Sequence, residues 1–217
     1  MKRGFKLLGA VMIFISLKTS AQKSDIVQDT AYMNVVQLRA AKIVDKLNLT
    51  DASKKQPVQN KIAWQYYNLN DIYKKRDSAL SLLKTDTTNK AVRKEQINNA
   101  AMKSVDSLHP IFLTSLAQEL DTTQVNAVKD GMTYDVLHVT YTAYQEMLPD
   151  LTAEQKQQIY NWLVEAREHA MDAESSDKKH AWFGKYKGRI NNYLSAQGIN
   201  MKQATDEWQK RIKQKQQ

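Results

Sequence analysis

The sequence predicts an all-α fold, and three observations carry that prediction. Glycine and proline are scarce, six and three in 217 residues. Strictly alternating apolar and polar stretches are nearly absent. Apolar residues instead recur at three- and four-residue spacing through almost the whole chain. Short connections between these periodic segments favour antiparallel neighbours. The expected architecture is a single-domain bundle of about seven helices with a basic C-terminal helix, and no linker is long enough to divide it.

The chain opens MKRGFKLLGAVMIFISLKTSAQ. Lys2, Arg3 and Lys6 precede an apolar run from Leu7 to Leu17, and Thr19-Ser20-Ala21 offers small residues for cleavage. This reads as a secretory signal peptide over residues 1–21, too short for a comfortable membrane span. Residues 22–217 are expected to form one helical domain in the periplasm or outside the cell, with no membrane anchor after the signal is removed.

A first helix is expected over 29–47, with Met33, Val36, Ala40, Ile43, Val44 and Leu47 on one stripe. The second spans 54–84 through Val58, Ile62, Tyr66, Leu69, Tyr73, Leu80 and Leu83, with Pro57 in its first turn or restarting it. Thr85–Thr88 is a polar break. The third covers 89–118, through Val92, Ile97, Ala101, Val105 and Leu108, and Pro110 should kink or interrupt it. A short helix near 122–130 should close at Gly131. After the ambiguous stretch MTYDVLHVTY comes a helix near 139–148, ended by Pro149-Asp150. The sixth and seventh cover 153–173 and 176–196, and Gly198 stops the latter. A basic tail helix, within 200–217, shows Met201, Ala204, Trp208 and Ile212.

Two helix starts share a pattern, Leu151-Thr152-Ala153-Glu154-Gln155 and Leu120-Asp121-Thr122-Thr123-Gln124. The physical reading is a capping box, in which Thr152 or Asp121 accepts from the third backbone N–H and Gln reaches back. Leu120 and Val125 can add a hydrophobic staple. Leu49-Thr50 keeps only the first two letters of the pattern. The same L-T-x-x-Q letters give a local resemblance to a family of periplasmic helical chaperones, which would imply a chaperone or adaptor.

Several function classes lose support. The absence of cysteine removes disulfides and thiolate metal sites. There is no G-x-S-x-G elbow, H-E-x-x-H pair, phosphate-cradling glycine loop or dinucleotide fingerprint, and no cofactor or metal is expected. The charge is +9 overall, but residues 174–217 hold ten Lys/Arg against four Asp/Glu. The mature remainder is nearly neutral. That bias suits an acidic partner, and it also suits a solvated flank. Export argues against nucleic acid.

Candidate sites come from three segments. In KKHAWFGKYKGRINNYL (178–194), Phe183, Tyr186, Ile190, Tyr193 and Leu194 make a core stripe with Trp182 at its edge. Lys178, Lys185 and Arg189 fall on one flank and Lys187 on the other. Lys185 and Arg189 are one turn apart, so both heads can address one carboxylate of an acidic oligosaccharide, Arg by two parallel hydrogen bonds. Gly184 and Gly188, one turn apart near His180, Asn191 and Asn192, suggest a close approach to this backbone, by a neighbouring helix ahead of a ligand. In WLVEAREHAMDAE, Glu165 and His169 are four apart. If Ser175 marks the turn of a helical hairpin, Glu165, His169 and His180 can meet to bind a metal or move a proton. The plainer alternative is an exposed Glu–His pair. In AWQYYNLNDIY, Trp64, Tyr67 and Asp71 lie away from the core stripe, a combination that suits sugar rings and equally a second packing face.

Over most of its length the chain resembles an exported Bacteroidota family known as domain of unknown function 3826. RAAKIVDKLNLTD at 39–51, DGMTYDVLHVTYTAYQEMLPDLTAEQK at 130–156 and KKHAWFGKYKGRINNYLSAQG at 178–198 carry the resemblance. It implies context: members tend to occur in glycan-degrading bacteria near genes for polysaccharide use. The reading that follows is an exported binding or accessory protein, holding an acidic glycan with groups of helices two, six and seven. The alternatives are a lyase or hydrolase using Glu165, His169 and His180, and a periplasmic chaperone.

Overall fold

The computed structural model describes residues 19–83 and 89–215. The apolar run expected to be a signal and the polar break at 85–88 lie outside the described residues. Among the described residues eight α-helices follow one another: α1 (Thr19–Lys46), α2 (Lys55–Leu82), α3 (Lys90–Ala117), α4 (Thr122–Met132), α5 (Val136–Met147), α6 (Ala153–Met171), α7 (Ser176–Ala196) and α8 (Met201–Lys215). A 3-10 turn, Ala52–Lys54, leads into α2. No strand occurs among the described residues, and the all-α reading holds.

The starts of α4 and α6 are the expected capping boxes. Asp121 accepts from the Gln124 backbone N–H at 2.8 Å, and the Gln124 side chain accepts from the Asp121 N–H at 3.1 Å. Thr152 and Gln155 repeat the exchange at 3.2 and 2.9 Å. Leu120 is buried and Val125 packs on the same core cluster, as the staple requires. At the third occurrence Thr50 plays no capping role. Asp51 caps the 3-10 turn instead, accepting from Ser53. Ser175 caps α7, accepting from the Lys178 N–H at 3.2 Å.

Some boundaries differ from expectation. α1 begins ten residues early, at Thr19. α3 keeps its expected span and runs through Pro110 without interruption. Gly131 lies inside α4 and does not close it: a Cβ there would stand 3.0 Å from two side-chain carbons of Ile43. The glycine lets α1 and α4 approach. The turn between α4 and α5 uses two left-handed residues, Tyr134 (φ 59°) and Asp135 (φ 59°). The Asp135 N–H closes it onto the Asp130 carbonyl at 2.8 Å.

Apolar side chains gather in two clusters. One joins α1, α2, α4 and the second half of α3 around Val36, Val58, Ile62, Phe112, Leu116 and Met132. The other joins α5, α6 and α7 around Leu137, Ile159, Leu163, Phe183, Ile190 and Leu194. Successive residues at the end of α6 divide between them, Ala170 in the second and Met171 in the first. The stripes expected on α1, α6 and α7 are buried or half-buried, while Val92 at the start of α3 is 53% exposed. α8 packs on α5 and α7, where Arg211 donates to the last carbonyls of α5 at 2.9 and 3.1 Å.

Candidate functional site

A polar seam runs between the two clusters, made by residues that interrupt core stripes. Gln65 on α2, Arg167 on α6, Asp172 at the C-cap of α6 and Lys179 on α7 are all buried. A buried polar group must find partners or destabilise the fold. Lys179 donates to the Met171 and Ala170 carbonyls at 2.7 and 3.1 Å, closing the end of α6. Burial pulls its amine down to about 8, against the opposing influence of the Asp172 carboxylate. Arg167 donates to Asp130 and to Asn126, each at 2.8 Å, and so ties α6 to α4.

Asp172 is the hub. Its Oδ1 accepts from the Gln65 amide at 2.8 Å, its backbone carbonyl accepts from the Tyr73 hydroxyl at 2.8 Å, and its Oδ2 lies 2.5 Å from His109 Nδ1. The hydrogen bond to Asp172 raises the His109 imidazole above its ordinary range, and nearby Glu168 adds to the effect. Glu168 is in turn held by Lys129 at 2.8 Å and Arg167 at 3.3 Å. Burial, followed by the Glu174 and Asp172 charges, pushes the Tyr73 phenol up to about 12.

Above this hub opens a cleft of about 740 Å³, between α2 and α3 on one side and the α6–α7 corner on the other. Tyr73, Arg76, Asp106 and His109 line the first wall, and Glu168, His169, Lys178 and Trp182 the second. His169 stacks on Trp182 with centroids 4.5 Å apart and 17° between planes, and Lys185 sits 4.9 Å over the indole. Arg76 pairs across the mouth with Glu174 and lies 4.9 Å over Tyr73. Asp106 and Lys178 make no ion pair among the described residues.

The expected triad does not assemble. His169 faces the cleft on Trp182, whereas His180 stacks on Tyr134, 5.8 Å away, on the other flank of α7. The reason is helical phase. His180 and Trp182 are two residues apart, roughly 200° around the helix, and it is Trp182 that meets α6. Glu165 pairs with Arg189 at 3.4 Å. Arg189 therefore has an acidic partner within the chain, and its guanidinium covers Trp162 at 4.6 Å. Lys187 and Asn192 lie on the exposed face of α7. That face is open: a Cβ at Gly184 or Gly188 would meet nothing within 4 Å, so the expected helix contact is absent among the described residues. Trp64, Tyr67 and Asp71 do not line the cleft. Asp71 pairs with Lys75 at 2.7 Å and borders a shallower groove on the other side of the α2–α3 pair.

Residues of helices two, six and seven line one cleft, but on α2 they are other residues than those singled out, and α3 shares the first wall with α2. His109, Glu168, Tyr73 and Arg76 were not legible as a group. The available signal was polarity at core positions, with Gln65 between Ile62 and Leu69, Arg167 beside Ala166, and Lys179 one turn before Phe183. Among the described residues the side chains whose ligand atoms converge closely enough for a metal are Asp130, Asp135 and His138, within 4.8 Å. Asp130 is already committed to Arg167. No described helix is long and apolar enough to cross a membrane.

No curated protein matches the chain. A family model described as protein of unknown function, DUF3826, matches residues 33–214, which covers both core clusters, the polar seam and the cleft. The chain belongs to that family.

Proposed function

We propose that this is an exported binding protein that holds a carboxylated glycan fragment in the cleft between the α2–α3 pair and the α6–α7 corner. The observation that carries the reading is the composition of the second wall. An ordered aromatic stack, His169 on Trp182, stands beside Lys178, whose ammonium has no ion-pair partner among the described residues. Sugars offer C–H faces to aromatic groups and hydroxyls to polar ones, and a uronate adds a charge for Lys178. Asp106 and Asn98 on the facing wall can accept from and donate to hydroxyls. The N-terminal apolar run and its basic start support export.

Calorimetric titration tests the reading with uronic acid oligosaccharides and their neutral counterparts. The acidic series should bind, and more weakly as salt is raised. Lys178→Ala should weaken binding about tenfold, roughly the 1.4 kcal/mol of one charge-assisted contact. Lys185→Ala with Arg189→Ala should weaken it less, because Arg189 is already paired with Glu165. Absence of binding by well-folded protein to either series would sink the proposal.

A further inference from the structure

The first wall of the cleft carries more than a binding site requires. His109 is fixed at one end only. Its Nδ1 faces the buried Asp172 carboxylate at 2.5 Å, and the other Asp172 oxygen is held by Gln65. That arrangement sets the ring plane and directs the Nδ1 proton to Asp172. The opposite nitrogen, Nε2, stands 3.6 Å from Glu168, beyond hydrogen-bond reach, at the cleft wall. One turn earlier on α3, Asp106 lines the same cleft with no ion pair among the described residues. Helical spacing puts the Cβ atoms of Asp106 and His109 about 5–6 Å apart. A directed proton donor and an open carboxylate thus share one helix turn inside the cleft.

We infer that this pair makes the cleft hydrolytic, with His109 donating a proton to the leaving oxygen of a glycosidic bond and Asp106 activating water; the inference rests on the glycan reading above. The Asp106 carboxylate takes a proton from water as the water oxygen bonds to the anomeric carbon. The bond from that carbon to the leaving sugar oxygen breaks, and its electron pair stays on the oxygen. That oxygen takes the Nε2 proton of the His109 imidazolium. Solvent then returns the proton from Asp106 to His109, so water is the only co-reactant. The surroundings favour the charged imidazole. The Asp172 hydrogen bond and the Asp172 and Glu168 charges from α6 favour the charged form, while burial and Lys129 of α4, beyond Glu168, work against it; Asp106 of α3 faces the same cleft. Tyr73 and Arg76 of α2 complete the wall. Asp172 and Gln65 are positioning residues, since they act through His109.

The test uses the mature chain and the oligosaccharides that it binds by titration. New reducing ends should appear without the ultraviolet absorbance of an unsaturated sugar. At saturating oligosaccharide, His109→Gln and Asp106→Asn should each lower the rate at least about 100-fold, the usual worth of one general acid or base, and His109→Gln should bind within a few-fold of wild type. Asp172→Asn should move the alkaline limb of the pH–rate profile to lower pH, which a purely structural role would not do. Asp106 is exposed, so its variant reports on chemistry even if His109→Gln unfolds. A bound glycan that stays intact overturns the inference and leaves the binding reading standing. Unsaturated product, or wild-type rates in Asp106→Asn, also overturns it. A failure to bind any glycan removes both.

Discussion

His109 bonds to Asp172 and Lys179 feels its charge, and their titrations push stability in opposite directions. The folded state raises the His109 pKa, so its bridge from α3 to α6 contributes fully below the unfolded value of about 6.5 and fades as pH rises through the folded value. Thermal melts from about pH 6 to pH 8 should show the gap between wild type and His109→Gln closing with pH. Lys179 behaves oppositely. Its folded value, about 8, lies below the 10.5 of a free amine, so the unfolded chain binds more protons between those values. Stability should therefore rise with pH in that window, and Lys179→Met should abolish the rise. A single residue thus reports on a seam that links two cores. None of this was legible as chemistry in the sequence, because a histidine beside Pro110 and a lysine at the edge of a stripe carry no sign of a shared aspartate.

At the scale of elements, local chemistry decided most of what happened. The boxes at Asp121 and Thr152 form as their spacing requires, and Asp121→Ala or Thr152→Ala should each cost about 1 kcal/mol in a denaturant titration. The glycines separate by tertiary setting. Gly184 and Gly188 face open space, so alanine at each should raise stability by up to about 1 kcal/mol. If the double variant is no more stable, something covers that face in solution. Gly131→Ala should destabilise, since its methyl would press on Ile43 at 3.0 Å. The sequence alone suggests close packing at the first pair. The pattern of two glycines four apart signals a possible approach, but whether a neighbour fills it depends on where α6 and α8 lie.

The whole molecule is two apolar clusters bridged by a polar seam, with a cleft where the α2–α3 pair stands off from α6 and α7. The first half of α3 rests on little: of Lys90–Ser107 only Ala101 is buried. Its amides should exchange with solvent faster than those of α6 and α7, as measured by mass spectrometry, and a bound ligand should slow them. Uniform protection would mean that the hairpin is held by contacts other than those seen. By itself the sequence determined most of the helices, the two capping boxes and most of the buried stripes, because helix periodicity and capping act within a few residues. It also singled out helices two, six and seven. Only the tertiary structure decided which faces meet. The phase of α7 gives Trp182 to His169 and sends His180 to Tyr134, and partners as distant as Gln65, His109 and Asp172 converge through packing that no local spacing records.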